Sequence, residues 1–328
     1  MKIDLVHPVD AEMSWLPNGE DLDELPVRLV RQAGKSLTGR ASFALYRRYF
    51  EIIRADTPEL RDLVYRLRFQ VYAHERGFEN PEDFPEEREQ DEYDGRSLHI
   101  LLRHRRSGIM LGTARIVLPN QDDLASSFPV QAASGHPLLH DADVSAHAVE
   151  FSRLAISGER LKRCHIGSGE NGGKISHLLA KQLFPFLSIG LIAGVIELAS
   201  ENGYPILLAV MEPFLIRSLR KIGIEFPFMD APVEYHGLRV PCALLSLHEA
   251  CVAMKRKDRA AWEIVTNKGR TQELALIAQT KSERARQAVA RAFRLAKRPA
   301  PIVLGMPGAQ PKTRRPPRQV DPIVRRIA

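Results

Sequence analysis

The chain has 328 residues, of which 44% are hydrophobic and 27% charged, with 21 Gly and 22 Pro. That composition excludes a collagen, a wholly disordered chain and a disulfide-stapled miniprotein, and it leaves room for a sizeable core. The net charge of +7 is unevenly placed: residues 254–328 hold 19 Lys/Arg against 5 Asp/Glu, a net of +14, which leaves −7 on residues 1–253. The basic character therefore does not mark the whole protein as nucleic-acid binding.

Residues 1–41 show no sustained periodicity and are expected to be a loosely structured N-terminal extension. Their acids and proline leave no continuous apolar stretch for a signal peptide. The organised region is expected over residues 42–253. LYRRYFEIIRA predicts a strand, and Asp56-Thr57-Pro58-Glu59 predicts a helix start, with Thr57 as cap, Pro58 in the first turn and acids at the positive end of the dipole. Leu60, Val64, Leu67 and Val71 then form a buried stripe, and Arg61, Tyr65, Arg68 and Tyr72 recur on another face. After the charged loop ENPEDFPEEREQDEYDG, Ser97 to His104 and Ile109 to Leu118 predict two strands joined at HRRSG, and Ala148 to Ser157 predicts a third.

A Gly-rich stretch, GSGENGGK, precedes a long helix that ends near Asn202-Gly203. The uncharged run Leu183 to Ile196 is too short for the roughly 20 residues that span a bilayer and predicts a buried helix. Ile206 to Met211 predicts a strand, Pro213 to Lys221 a helix, and residues 232–248 two more strands. This order fits an α/β fold, a mixed twisted sheet flanked by helices. Beyond it, residues 254–298 predict a basic helical extension, with one helix over Glu273 to Lys297. Residues 299–328 hold seven prolines and predict a disordered Pro/Arg-rich tail. The bland expectation for the basic part is a solvated, mobile extension. An acidic protein or an anionic membrane surface are sharper alternatives, and nucleic acid has the least support because few aromatics are present to stack on bases.

Cys164, Cys242 and Cys251 lack metal or disulfide spacing, so no metal site is expected and a reducing, cytoplasmic setting is. Packing is the default for Cys242 and Cys251. Charges set in apolar strands carry more information, because a buried ion must be paired and hydrogen-bonded. Arg115 lies within GTARIVLP, and Glu150 and Arg153 lie within VEFSRLAIS, three residues apart and so on opposite faces of an ideal strand unless a bulge re-aims one. These positions predict a network of Arg68, Arg115 and Arg153 with Asp91, Asp94 and Glu150, which serves equally as scaffold or as substrate site.

The strings LRFQVYAHERGF, EREQDEYD, GTARIVLP, the FP at Phe128 and VEFSRLAIS, in that order, resemble the acyl-homoserine-lactone (autoinducer) synthases and the N-acyl amino acid synthases of the GNAT acyltransferase superfamily. Across roughly residues 43–248 the chain looks closest to the acyltransferases associated with the PEP-CTERM/exosortase system. The resemblance implies a GNAT (acyl-CoA N-acyltransferase) fold and an N-acyltransferase. In it Glu150 and Arg153 are the catalytic pair, while Arg68, Tyr72, Phe78, Asp91, Asp94, Arg115 and Phe128 line or brace the acceptor site. Phe78 stands where that family commonly has tryptophan. Leu154 and Ile156 are placed at the donor, with backbone N–H groups of their strand stabilising the oxyanion.

Gly167 and Gly169, in RCHIGSGENGGK, match the superfamily's pyrophosphate turn only imperfectly. Acyl carrier protein is therefore the expected donor partner and acyl-CoA the alternative, with no tightly bound cofactor. Arg105, Arg106, Lys162, Arg163 or the tail would meet the carrier. An amino acid is the first-choice small-molecule amine acceptor, ahead of S-adenosylmethionine, and a non-catalytic acyl-ligand adaptor on the same fold is the competing class.

Overall fold

Thr57 opens the first long helix by accepting the Leu60 N–H, and Pro58 occupies the first turn, as the sequence predicts. The computed structural model describes residues 47–164, 185–234 and 237–297. The N-terminal extension, the Gly-rich stretch with Gly167 and Gly169, Tyr235-His236 and the Pro/Arg-rich tail lie outside these described residues.

The strands are β1 (Phe50–Arg54), β2 (Ser97–His104), β3 (Met110–Val117), β4 (Ala148–Ile156), β5 (Ile206–Met211), β6 (Val233–Glu234) and β7 (Leu238–Leu244). They form one mixed sheet in the order β1-β2-β3-β4-β5-β7-β6. Among the described strands only β4 and β5 run parallel. β1 is shorter than LYRRYFEIIRA suggests, and residues 47–49 are helical. The reason is the partner: Phe50 pairs with His104, the last residue of β2, and the pairing stops after one further bond, from Arg105 N–H to Tyr49 O.

Side-chain alternation sorts the strands onto two faces. Ile100, Leu102, Ala114, Ile116, Val149, Leu207 and Ala209 share one apolar cluster, whose cover includes α5 (Pro185–Glu201), α6 (Pro213–Lys221) and α7 (Leu247–Lys257). α5 is buried on nearly all sides, as its apolar run predicts, and no helix among the described residues is long and apolar enough to cross a membrane. A Cβ at Gly194 of α5 would lie 2.7 Å from Ile100 Cδ1, so only glycine lets the helix approach the sheet this closely.

On the opposite face Leu101 and Ala155 pack with Val64, Leu67 and Val71 of the first helix, α1 (Pro58–Phe69), and the turn that follows it. Next to them, Val117, Ala148, Ile206 and Leu208 pack with two short helices, α2 (Pro129–Ala133) and α3 (Ala142–Ser145), and with the C-terminal helix. The short helix α4 (Gly158–Arg163) follows β4 directly.

The basic segment departs from expectation. Instead of one helix over Glu273 to Lys297 there are two, α9 (Arg270–Thr280) and α10 (Glu283–Leu295), because the Ser282 side chain accepts the Ala285 N–H and starts a new helix. They are not solvated extensions. α10 buries Ala288, Val289, Ala292 and Leu295 against the sheet, while Trp262 and Val265 of α8 (Arg259–Val265) and Ala275 of α9 join the cluster under α5. Cys242 and Cys251 are core residues, as expected.

Candidate functional site

β4 and β5 pair from Ala148–Ile206 to Phe151–Ala209 and then part. Beyond that point β4 stays with β3 and β5 with β7, and a cleft of about 720 Å³ opens between them. Residues 152–156 of β4 form one side and Val210, Met211 and Glu212 the other. Leu187, Ile189 and Ile192 of α5 with Leu215, Leu219 and Ile222 from α6 and its end make an apolar wall. Tyr72, Phe78, Arg115, Glu150, Arg153 and Arg239 make a polar one.

A bulge builds the polar wall. Thr113 pairs with Ala155 and Arg115 with Ser152, so Ala114 faces two residues of β4, Arg153 and Leu154. Arg153 takes up the extra residue with φ +52°, in the left-handed region. Side-chain direction reverses there: Phe151 belongs to the cluster under α5, whereas Ala155 belongs to the one under α1. The bulge that the sequence left open as a condition is thus present, and Arg153 joins Arg115 and Arg68.

Among the described residues, those arginines are answered by three carboxylates. Arg68 Nε donates to Glu89 Oε2 at 2.5 Å and its Nη1 to Asp94 Oδ1 at 2.7 Å. Arg115 Nη1 donates to Asp91 at 2.6 Å and to Asp94 at 2.7 Å, and its Nε to Ser152 Oγ at 3.1 Å. Arg153 reaches Glu89 at 3.2 Å and Asp91 at 2.8 Å. Burial pushes the Asp94 carboxyl up, but Arg68 and then Arg115 outweigh it and hold the group well below the usual carboxylate range. Asp91 is lowered too, burial being overcome by Arg115. His99 beside Asp94 is held neutral, its pKa pulled by burial down to about 4.

Glu150 corrects the expected network. Among the described residues it forms no ion pair; Glu89 takes the place predicted for it. Glu150 is buried, and its Oε2 accepts the Val130 N–H at 2.8 Å. That N–H lies in the first turn of α2, where backbone donors have no partner within the helix. Burial pushes the Glu150 carboxyl up to about 8, against the opposing pull of the Val130 N–H, Arg115 and Arg153.

The remaining predicted residues divide. Tyr72 and Phe78 line the cleft with ring centroids 6.4 Å apart, and the Tyr72 hydroxyl donates to Leu154 O at 3.4 Å. Gln70–Glu75 is a π-helical turn, and it brings Tyr72 and Glu75 to the cleft. Leu154 and Ile156 line it as well. Arg68 is sealed within the network, so it braces the wall rather than forming it. Phe128 is a core residue packed with Val130, Leu138 and Leu139, while the adjacent Pro129 reaches the cleft. Phe128 therefore anchors the turn that presents Val130 N–H to Glu150.

Sequence reasoning missed Glu89 as a partner, Val130, and a rim pair. Counting charges cannot find Glu89, since three arginines balance Asp91 and Asp94 with either Glu89 or Glu150. At the rim, Arg239 Nη1 lies 3.0 Å from Glu212 Oε1, and its guanidinium carbon is 5.9 Å from the Phe78 ring centroid. The Arg239 side chain is 18% exposed and that of Glu212 52%. Exposed ion pairs contribute about 0–1 kcal/mol, whereas breaking a buried one costs about 3–5 kcal/mol. The Arg239–Glu212 pair is therefore held far more weakly than the pairs made by Glu89, whose side chain is nearly sealed from water.

Comparison with known proteins agrees with this architecture: residues 67–164 match the family model described as acetyltransferase (GNAT) domain. The matched stretch is less than a third of the chain and runs from the end of α1 to the end of α4. The chain thus carries a GNAT domain in a seven-stranded mixed sheet flanked by helices. No curated protein matches the chain. Among solved structures, TofI in a ternary complex with an inhibitor and MTA is 21% identical with a TM-score of 0.43, over 66% of this chain and 97% of that one. BjaI, a CoA-dependent acyl-homoserine lactone synthase bound to SAM and isopentyl-CoA, is 18% identical with a TM-score of 0.42, over 75% and 99%. FeeM, an N-acyl amino acid synthase from uncultured soil microbes, is 14% identical with a TM-score of 0.41, over 62% and 94%.

Proposed function

We propose that the protein is an N-acyltransferase that moves a fatty acyl group from the thioester of an acyl carrier protein, with CoA as the alternative carrier, to the amine of an amino acid or amino-acid-like acceptor. The observation that carries this reading is Glu150. It is a buried carboxyl with a pKa pushed up to about 8, in a cleft that joins an apolar wall to a polar one. A general base works best with a pKa near the operating pH, and an α-ammonium group must lose a proton before it attacks.

Glu150 takes that proton, directly or through one water. The amine nitrogen then bonds to the thioester carbon, and backbone N–H groups of β4 beyond the parting of the strands stabilise the oxyanion. The C–S bond breaks as the carbonyl re-forms, the leaving thiolate takes up the second proton of the attacking nitrogen, and the neutral amide remains. The apolar wall takes the acyl chain. Exposed Arg106 and Arg163, with the basic tail, suit an acidic carrier protein. The motif resemblance supports a place beside the PEP-CTERM/exosortase-associated acyltransferases, in a cytoplasmic setting, with an anionic membrane surface as a further partner of the tail.

The test is mass spectrometry of lipid extracts from cells expressing wild type or Glu150→Gln at equal soluble levels, followed by assays with acyl carrier protein and acyl-CoA donors. Wild type is expected to form an N-acyl product, and the folded variant to lose at least about a hundredfold in rate. Unchanged turnover in the variant excludes Glu150 as the base. Binding of acyl ligands without turnover in wild type marks an adaptor.

A further inference from the structure

We infer that Arg239 reads the carboxylate of the acceptor, so that the enzyme selects amines bearing a carboxylate over neutral ones. This rests on the N-acyltransferase reading above. Arg153 is committed, holding Glu89 and Asp91 behind the polar wall, and Arg115 is committed to Asp91 and Asp94. Arg239 enters the same cleft from the other side, and one carboxylate it meets, Glu212, is half exposed and able to turn into solvent.

The sheet fixes the geometry. Val240 pairs with Met211, which sets Arg239 level with Glu212 at the end of β5, while Glu150 pairs with Leu208. Four residues of strand separate those levels, about 13 Å along β5. Side chains entering one cleft from these two positions bracket a small acceptor, with the base at the amine end and the cation at the carboxylate end. The Phe78 ring lies beside the guanidinium and limits its orientations. A planar guanidinium suits a carboxylate, which it binds through two parallel hydrogen bonds. Exchange of the Glu212 carboxylate for the acceptor's conserves charge at the rim, with no proton or covalent bond changing place.

The experiment compares wild type, Arg239→Gln and Glu212→Gln with amino acids and their primary amides as acceptors and a decanoyl carrier-protein donor. Wild type is expected to favour the acid over its amide at least tenfold in kcat/KM, mainly through KM. Arg239→Gln is expected to lose that preference, the acid-to-amide ratio falling to about one, and Glu212→Gln to lower KM for the acid. An unchanged acid-to-amide ratio in Arg239→Gln, or no preference in wild type, overturns the assignment and leaves the acyltransferase standing. Should wild type turn over no acceptor, the proposed function fails, and calorimetry with N-decanoyl-phenylalanine and its primary amide still decides Arg239. A tenfold preference for the acid that disappears in Arg239→Gln upholds it, and equal binding overturns it.

Discussion

A carboxyl sealed from water with one backbone N–H for company keeps its proton to near pH 8, and Glu150 is in that position. The acyl-transfer rate is therefore expected to rise with pH and level off above about 8, and the part of the profile due to Glu150 disappears in Glu150→Gln. The same shift acts on stability. Between the unfolded value of 4.5 and the folded value of about 8 the native state holds a proton that the unfolded chain has lost, so wild-type stability falls as pH rises through that window. The melting temperature of Glu150→Gln relative to wild type is expected to climb between pH 5 and 9; a flat difference contradicts a raised pKa. Asp94 has the opposite sign. Its lowered pKa stabilises the fold above the unfolded value of 3.8, and that contribution drains away as pH falls below it. Asp94→Asn leaves two buried guanidiniums short of a partner and should cost about 3–5 kcal/mol in urea melts at pH 7, with the gap to wild type narrowing in acid.

The decisive element is β4. Its bulge at Arg153 reverses side-chain direction, so one strand feeds the cluster under α5 with Phe151 and the charge network with Arg153. A β-branched residue tolerates φ +52° worst, so Arg153→Val is expected to lose about 1–2 kcal/mol more than Arg153→Gly, although both lose the same ion pairs. Equal losses in denaturant titrations would show that the bulge relaxes without its left-handed residue. The helix start at Thr57-Pro58, the strand Ile206–Met211 and the helix Pro213–Lys221 were legible because caps, prolines and apolar runs act over a few residues. The split at Ser282 was not, since serine is tolerated inside a helix as well as at its start.

Across the whole molecule the sheet is covered on both faces, and the C-terminal helices supply part of that cover. A net positive charge suggested a solvated extension, yet α10 is amphipathic and lays its alanines, Val289 and Leu295 over Ile206 and Leu208. Truncation after Gly269 is therefore expected to abolish cooperative unfolding, read by circular dichroism during a urea titration. A sharp transition in the shortened chain would mean that α9 and α10 contribute little to the core.

The sequence by itself determined the order of the strands and of α1, α5 and α6 among them, the cap at Thr57, the buried stripe of α1, and which charges lie in apolar strands and so require partners. Only the tertiary structure decided which partners they have. Glu89 rather than Glu150 completes the arginine network, because the bulge and the loop before β2 bring Glu89 to Arg68 and Arg153 while Glu150 meets the first turn of α2. Local signals extend over a turn of helix or a few strand residues. Pairing between residues 64 positions apart, as for Glu89 and Arg153, depends on register and on where two parallel strands part, and both are settled only when the sheet closes.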